Sequence, residues 1–319
     1  QLEERATTLR GRIVLLNVPF TNYGETMNVR VNGASRAARH GAVAVLVRSI
    51  GPDGQRLPHT GMLQYSPDAP QIPAAAIASE DADRLQRMSD RGDTIRVHLQ
   101  MEAHMEADVP SANVVGELRG REKPDEVVVI GGHLDSWDVG AGAQDDGGGC
   151  IAVWEALRLM KALNLRPRRT VRVVLFTNEE NGTRGGNAYR DAHRAELANH
   201  VAMLESDSGV FRPVGFGFSG NARGRATVTA IATLLDGIGA SAISPVGGGA
   251  DIGPSVDVAR IPALSLDTDG PYFTFHHTQA DTVDKVDPQE LARCVAAVAV
   301  MTWVIAELPQ RLGDDPMRY

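Results

Sequence analysis

The six residues Glu126–Gly131 (EVVVIG) are apolar almost without interruption. A strand with one face in water alternates apolar and polar residues, so a run like this predicts a strand covered on both faces. Thr170–Thr177 (TVRVVLFT) predicts a second central strand, Val201–Leu204 and Ile261–Leu266 predict two more, and Ala112–Leu118 another beside them. Helical stretches lie between. One starts near Asp146 with Cys150, Val153, Trp154, Leu157 and Met160 on one stripe, and a second spans Arg225–Ile238. A third, Pro288–Leu308, repeats Leu291, Cys294, Val295, Val298, Met301 and Ile305 at helical spacing. Strand and helix in alternation predict an α/β fold with a central sheet flanked by helices.

The first 105 or so residues predict a smaller α/β unit. Arg12–Val18 and Ala42–Ile50 read as strands, Val31–His40 as a helix, and Pro52, Gly54, Pro58 and Gly61 as a loop. Gln71–Ile77 leads to a helix from Ser79 to about Met88, and Thr94–Met101 alternates like a strand. The polar stretch His104–Ser111 separates the units, giving domains 1–105 and 106–319, in keeping with the size of a two-domain chain.

The formal charge of −8 gives no footprint for a phosphate backbone, so nucleic acid is not an expected partner. Apolar runs such as Val43–Val47 fall far short of the roughly 20 residues that cross a bilayer, and no membrane span is expected. The N-terminus lacks the basic and apolar regions of a signal peptide. Two cysteines, both on helical core stripes, read as packing rather than a disulfide framework.

In open α/β sheets ligands bind beyond the carboxyl ends of the strands. Four polar clusters follow the apolar runs. GGHLDSWDVGAGAQDDGGG carries His133, Asp135, Asp145 and Asp146; FTNEENG carries Glu179 and Glu180; LESDSG carries Glu205 and Asp207; FHHTQADT carries His276 and His277. Imidazoles and carboxylates in this mixture suit Zn²⁺, and so many anions need a cation to gather. The set exceeds what one zinc uses, which suggests two metals sharing a carboxylate, a recurrent arrangement for hydrolysing amides.

These stretches, with GADI at 249–252, resemble in order and spacing the M28 family of co-catalytic zinc exopeptidases, and within it the carboxypeptidase Q branch. The resemblance covers essentially the whole chain. PHTG (58–61) and IPAAAIASEDA (72–82) resemble the protease-associated domain inserted into that catalytic fold. It implies a mixed central sheet of zinc exopeptidase type and two Zn²⁺ per chain. His133 and Asp207 would serve one ion, Glu180 and His277 the other, and Asp145 would bridge. Glu179 would be the general base, and the Asp135 carboxylate would orient the His133 imidazole.

The resemblance further implies a short peptide as substrate, a secreted or periplasmic location and a homodimer. Many family members have Tyr just before the last ligand histidine; here His276 stands there, and its N–H could hold the oxyanion instead. Family members also carry a catalytic segment ahead of the inserted domain, which is not expected in this chain. Asp146 reads as a cap for the following helix, and Glu205 and Asp251 stay open between structural and functional roles. Asn181-Gly182-Thr183 matches a glycosylation acceptor, but a glycan there would obstruct the neighbouring carboxylates. Three alternatives stay open: an inactive receptor-like ectodomain of the same fold, a single-zinc acyltransferase resembling glutaminyl cyclase, and an aminopeptidase specificity in place of carboxypeptidase or dipeptidase.

Overall fold

The structure is a computed structural model describing residues 2–314. The chain divides into two compact units. One comprises the chain up to Val109 with Trp137–Gly140 and Phe273–Ala280, the other Pro110–Ser136, Ala141–Tyr272 and the chain from Asp281 on. The division thus falls at Val109/Pro110 rather than between 105 and 106, and two later segments group with the first unit.

The first unit runs β1 (Ile13–Leu16), α1 (Tyr23–Ala38), β2 (Ala44–Arg48), β3 (Ala74–Ile77), α2 (Ser79–Asp90). Its three strands are parallel in the order β1-β2-β3, with β2 buried throughout. Ala34 and Ala37 of α1 pack with Val45 and Val47, small residues that let helix and sheet approach closely. The helix begins eight residues before the predicted Val31 because Asn22 caps it, its Oδ1 accepting the Glu25 N–H at 2.9 Å. Buried Arg48, at the end of β2, is paired with Asp53 and Asp83. The strand predicted at Thr94–Met101 does not form; residues 93–113 have no regular structure and are mostly exposed. The alternation is present, but no neighbouring strand takes up its backbone hydrogen bonds.

The second unit contains β4 (Val114–Leu118), β5 (Lys123–His133), α3 (Gly148–Ala162), β6 (Arg169–Phe176), α4 (Arg184–Ala192), β7 (His200–Glu205), β8 (Arg212–Ser219), α5 (Ala222–Ala232), β9 (Ala242–Ser244), α6 (Gly253–Ala259) and β10 (Ala263–Asp269). The single turn α7 (Tyr272–Phe275) precedes the closing helix α8 (Pro288–Glu307). The sheet is mixed, in the order β4-β6-β5-β7-β10-β8-β9. β6, β5, β7 and β10 are parallel neighbours, β4 and β8 run antiparallel to theirs, and β9 runs parallel to β8.

Successive β5 residues go to opposite cores, as its continuous apolar run predicts. Val128 and Ile130 join Val153 and Met160 of α3 and Val298 and Met301 of α8. Val127 and Val129 join Tyr189 of α4 with Ile252 and Ile261. Trp154, expected on the α3 core stripe, is instead 52% exposed, one helical step past buried Val153. The segment Arg225–Ile238 holds the end of α5 and a 3₁₀ turn, Thr233–Ile238. α8 is long and apolar enough to cross a membrane by length and composition alone, a test that a core helix also passes; half of its most apolar stretch is buried in the protein, with Val298 and Met301 in the core. Both cysteines are buried free thiols, and Cys150 Sγ donates to the His133 carbonyl at 3.0 Å.

Candidate metal centre

The parallel strands deliver the polar residues to one edge. His133 is the last residue of β5, Glu179 and Glu180 follow the end of β6, and Asp207 follows β7. Asp145 and Asp146 lie in an irregular turn, Ala143–Gly147, joined by a cis peptide bond. The carboxylate of Asp281 holds that turn, accepting the N–H groups of Gln144 at 2.7 Å and Asp145 at 3.0 Å.

His133 Nε2 lies 3.3 Å from Asp145 Oδ1 and 3.4 Å from Asp207 Oδ1. Among the described residues of this unit, these three side chains offer ligand atoms within 4.8 Å of one another. His133 is 1% exposed and Asp145 5%. The His133 Nδ1–H donates to the Asp135 backbone carbonyl at 2.9 Å. A carbonyl only accepts, so Nδ1 carries a hydrogen, and Nε2 is the ring nitrogen that faces the two carboxylates and that a metal would take. Three electron-rich atoms converging in a buried site fit a divalent cation of the zinc type.

This geometry corrects the role expected of Asp135. It is the carbonyl that orients His133; the carboxylate lies 3.9 Å from Nδ1, beyond hydrogen-bond range. Its oxygens instead accept the N–H groups of Glu179 at 3.0 Å and Glu180 at 3.2 Å, fixing the turn that presents both glutamates. Glu180 is buried and Glu179 half-buried. Burial first, then the Asp207 carboxylate, push Glu179 up to about 8, a crowding of negative charge that a cation would relieve.

Asp146 behaves as a cap. Its oxygens accept the N–H groups of His133 and Gly149, each at 3.1 Å. A Cβ on Gly132 or Gly149 would stand 2.4 or 2.2 Å from that carboxylate, so both positions need glycine. Glu205 and Asp251 are fully buried. Glu205 Oε2 accepts the N–H groups of Asp251 at 3.1 Å and Ile252 at 2.9 Å. Burial and then Asp207 push Glu205 up to about 7; burial and then Glu205 push Asp251 up to about 9. Tyr272, which sequence reasoning passed over, hydrogen-bonds Asp145, and burial holds its hydroxyl well above the ordinary tyrosine value. Its only signal is a tyrosine five residues before His277, where attention fell on the adjacent position.

His276 and His277 belong to the first unit's segment 273–280 and are both buried. Their rings stack with centroids 3.6 Å apart, and Tyr23 and Phe273 meet His276 edge-on at 4.8 and 5.5 Å.

Residues 113–302 match Peptidase family M28. The chain is 44% identical over 313 residues to carboxypeptidase Q of Xenopus laevis and 40% identical over 312 residues to carboxypeptidase Q of Homo sapiens. Each alignment takes in 98% of this chain and 66% of the relative, so the chain spans about two thirds of the length of the curated relatives it matches. The crystal structure of an M28 peptidase precursor from Shewanella amazonensis overlays with a TM-score of 0.93 at 35% identity, covering 100% of this chain and 74% of that one. A zinc aminopeptidase from Bacillus subtilis shares the fold, with a TM-score of 0.69 at 19% identity over 98% of this chain and 75% of its own. A family match over more than half of the residues, with a 35%-identical relative overlaid along the full length, places this chain in peptidase family M28.

Proposed function

We propose that the chain works as a two-zinc exopeptidase of the carboxypeptidase Q kind, hydrolysing dipeptides or short unblocked peptides. The observation that carries this reading is the convergence of His133 Nε2, Asp145 and Asp207 beside a glutamate turn held by Asp135. Similarity to carboxypeptidase Q along nearly the whole chain supports it.

In this reading His133 and Asp207 would hold one ion, Glu180 and His277 the other, and Asp145 would be shared. Zinc supplies Lewis acidity toward water and toward the scissile carbonyl. Glu179 takes the proton of the attacking water and passes it to the leaving amine. Its position next to Glu180 suits this division of labour, because successive residues point in different directions and one tether at Asp135 orders both. His276 would donate its ring N–H to the developing oxyanion, with its ring plane fixed by the stack on His277 and the edge-on contact with Tyr23. Secretion or periplasmic location and homodimer formation belong to the same reading; sedimentation of the purified protein at the monomer mass would remove the dimer.

The test pairs a chelator with one substitution. Zinc-loaded protein should hydrolyse members of a dipeptide panel, lose that activity with a strong chelator and recover it with added zinc. Blocking the amino or the carboxyl terminus of the substrate distinguishes the terminus read. Glu179→Gln keeps the side-chain shape without the proton acceptor, so kcat should fall by about 10²-fold or more while zinc content holds. Zinc-bound protein that hydrolyses no dipeptide would overturn the reading in favour of a binding module, and loss of zinc in Glu179→Gln would show that base and ligand are exchanged.

A further inference from the structure

The PHTG loop of the first unit has no part in the chemistry above, yet it is built around the histidine segment. Thr60 makes two backbone contacts there: its N–H donates to the His277 carbonyl at 3.0 Å, and its carbonyl accepts the His277 Nδ1–H at 3.1 Å. The second contact places a ring hydrogen by the argument that applies to His133. A carbonyl has no proton to give, so Nδ1 of His277 carries a hydrogen and Nε2 is the ring nitrogen that a metal would take. His133 and His277 therefore share one device, an imidazole whose Nδ1–H is tied to a backbone carbonyl.

That carbonyl is itself held. Buried Arg30 of α1 donates Nη1–H to it at 3.0 Å and Nη2–H to the Tyr23 hydroxyl at 2.8 Å. The guanidinium fills the space beside Gly61, where a Cβ would stand 2.1 Å from Cζ and where φ is +147°. Glycine is thus required twice over at that position. On the other side His59, seated against Gly51 where a Cβ would lie 2.2 Å from its ring, hydrogen-bonds the His276 backbone. The ligand segment itself turns through a left-handed residue, with φ of +58° at His277. A non-glycine residue holds that conformation only where its surroundings impose it.

We infer that Arg30, through the Thr60 carbonyl, is a positioning residue for His277, orienting it to bind a cation through Nε2. This rests on the two-zinc reading. Arg30 is buried and spends its guanidinium on the Thr60 carbonyl and the Tyr23 hydroxyl, so it acts through His277, and partners that orient a ligand histidine commonly change metal affinity by about 10–100-fold.

The test measures both zinc affinities of the whole chain by calorimetry with chelator competition. Arg30→Ala should weaken one zinc site by about 10–100-fold and leave the other at its wild-type affinity. At subsaturating zinc kcat should fall in parallel while KM stays near wild type, and saturating zinc should restore much of it. Arg30→Lys, which can keep one donor of the pair, should lie between wild type and alanine, and it decides the question if Arg30→Ala does not fold. Arg36→Ala, an exposed arginine on the same helix, should change neither site. Two wild-type zinc affinities in folded Arg30→Ala or Arg30→Lys would overturn the inference alone. Wild-type protein that binds fewer than two zinc ions would overturn the reading beneath it.

Discussion

At the scale of single residues, the centre depends on which atom of each side chain faces the cation. His133 is committed by its Nδ1–H to the Asp135 carbonyl, so its ligand atom is settled before any metal arrives. His276 is the residue where position and role most need separating, because its ring is buried among Tyr23, Phe273 and His277. A donor fixed in that way is preorganised, and loss of one such donor typically costs about 10²–10³ in kcat. His276→Phe keeps the aromatic packing and removes the N–H, so kcat should fall by that factor with zinc content and melting temperature near wild type. Turnover near wild type would leave His276 as a packing residue, and loss of zinc would make it a ligand. Of the candidate ligand carboxylates, Glu180 and Asp207 stand out in the sequence because each follows an apolar run by three residues, whereas Asp145 lies fourteen residues beyond Gly131 and stands out only as half of an Asp-Asp pair ahead of the next helix. Burial is set by neighbours distant in the chain, so Glu205 and Asp251 could not be separated from solvated acids, nor Asp135's carbonyl from its carboxylate.

At the scale of elements, continuous apolar strands announced themselves and glycine-rich ones did not. β8 (RPVGFGFS) escaped the sequence reading because its glycines break the β-branched pattern. A Cβ on Gly215 would strike the Ala242 backbone at 1.9 Å, and one on Gly217 the Val246 carbonyl at 2.1 Å, so close backbone approach demands these glycines. The opposite edge of the sheet, where β7 begins, carries a buried chain of polar groups. Arg172 donates to Tyr189 Oη at 2.8 Å, Tyr189 donates to His200 Nε2 at 2.8 Å, and His200 Nδ1–H donates to the Glu196 carbonyl at 3.1 Å. Burial lowers His200 to about 4 from its ordinary 6.5. Between those values the unfolded chain binds more protons than the folded one. Stability contributed by neutral His200 is therefore present above pH 6.5 and lost as pH falls toward 4. Comparing urea unfolding at pH 7 and pH 5, wild type should lose about 2 kcal/mol more than His200→Asn. Equal losses would show that His200 is not held neutral by the fold.

At the scale of the whole molecule, the mixed sheet places His133, Glu179, Glu180 and Asp207 at the carboxyl ends of adjacent parallel strands. That placement follows from strand order, which is why fold and metal chemistry could be read together from apolar runs and the residues after them. The division into units was less legible. Segments 137–140 and 273–280 lie far along the chain from the first unit yet group with it, and no composition shift marks them. The central claim is that this arrangement binds two zinc ions, with Asp145 shared between them. The most direct measurement is zinc per chain by elemental analysis after reconstitution and dialysis, on wild type and on Asp145→Ala. The account predicts close to two ions in wild type and a deeper loss in Asp145→Ala than in either His133→Ala or Glu180→Ala; trace zinc in wild type, or undiminished zinc in Asp145→Ala, would contradict it.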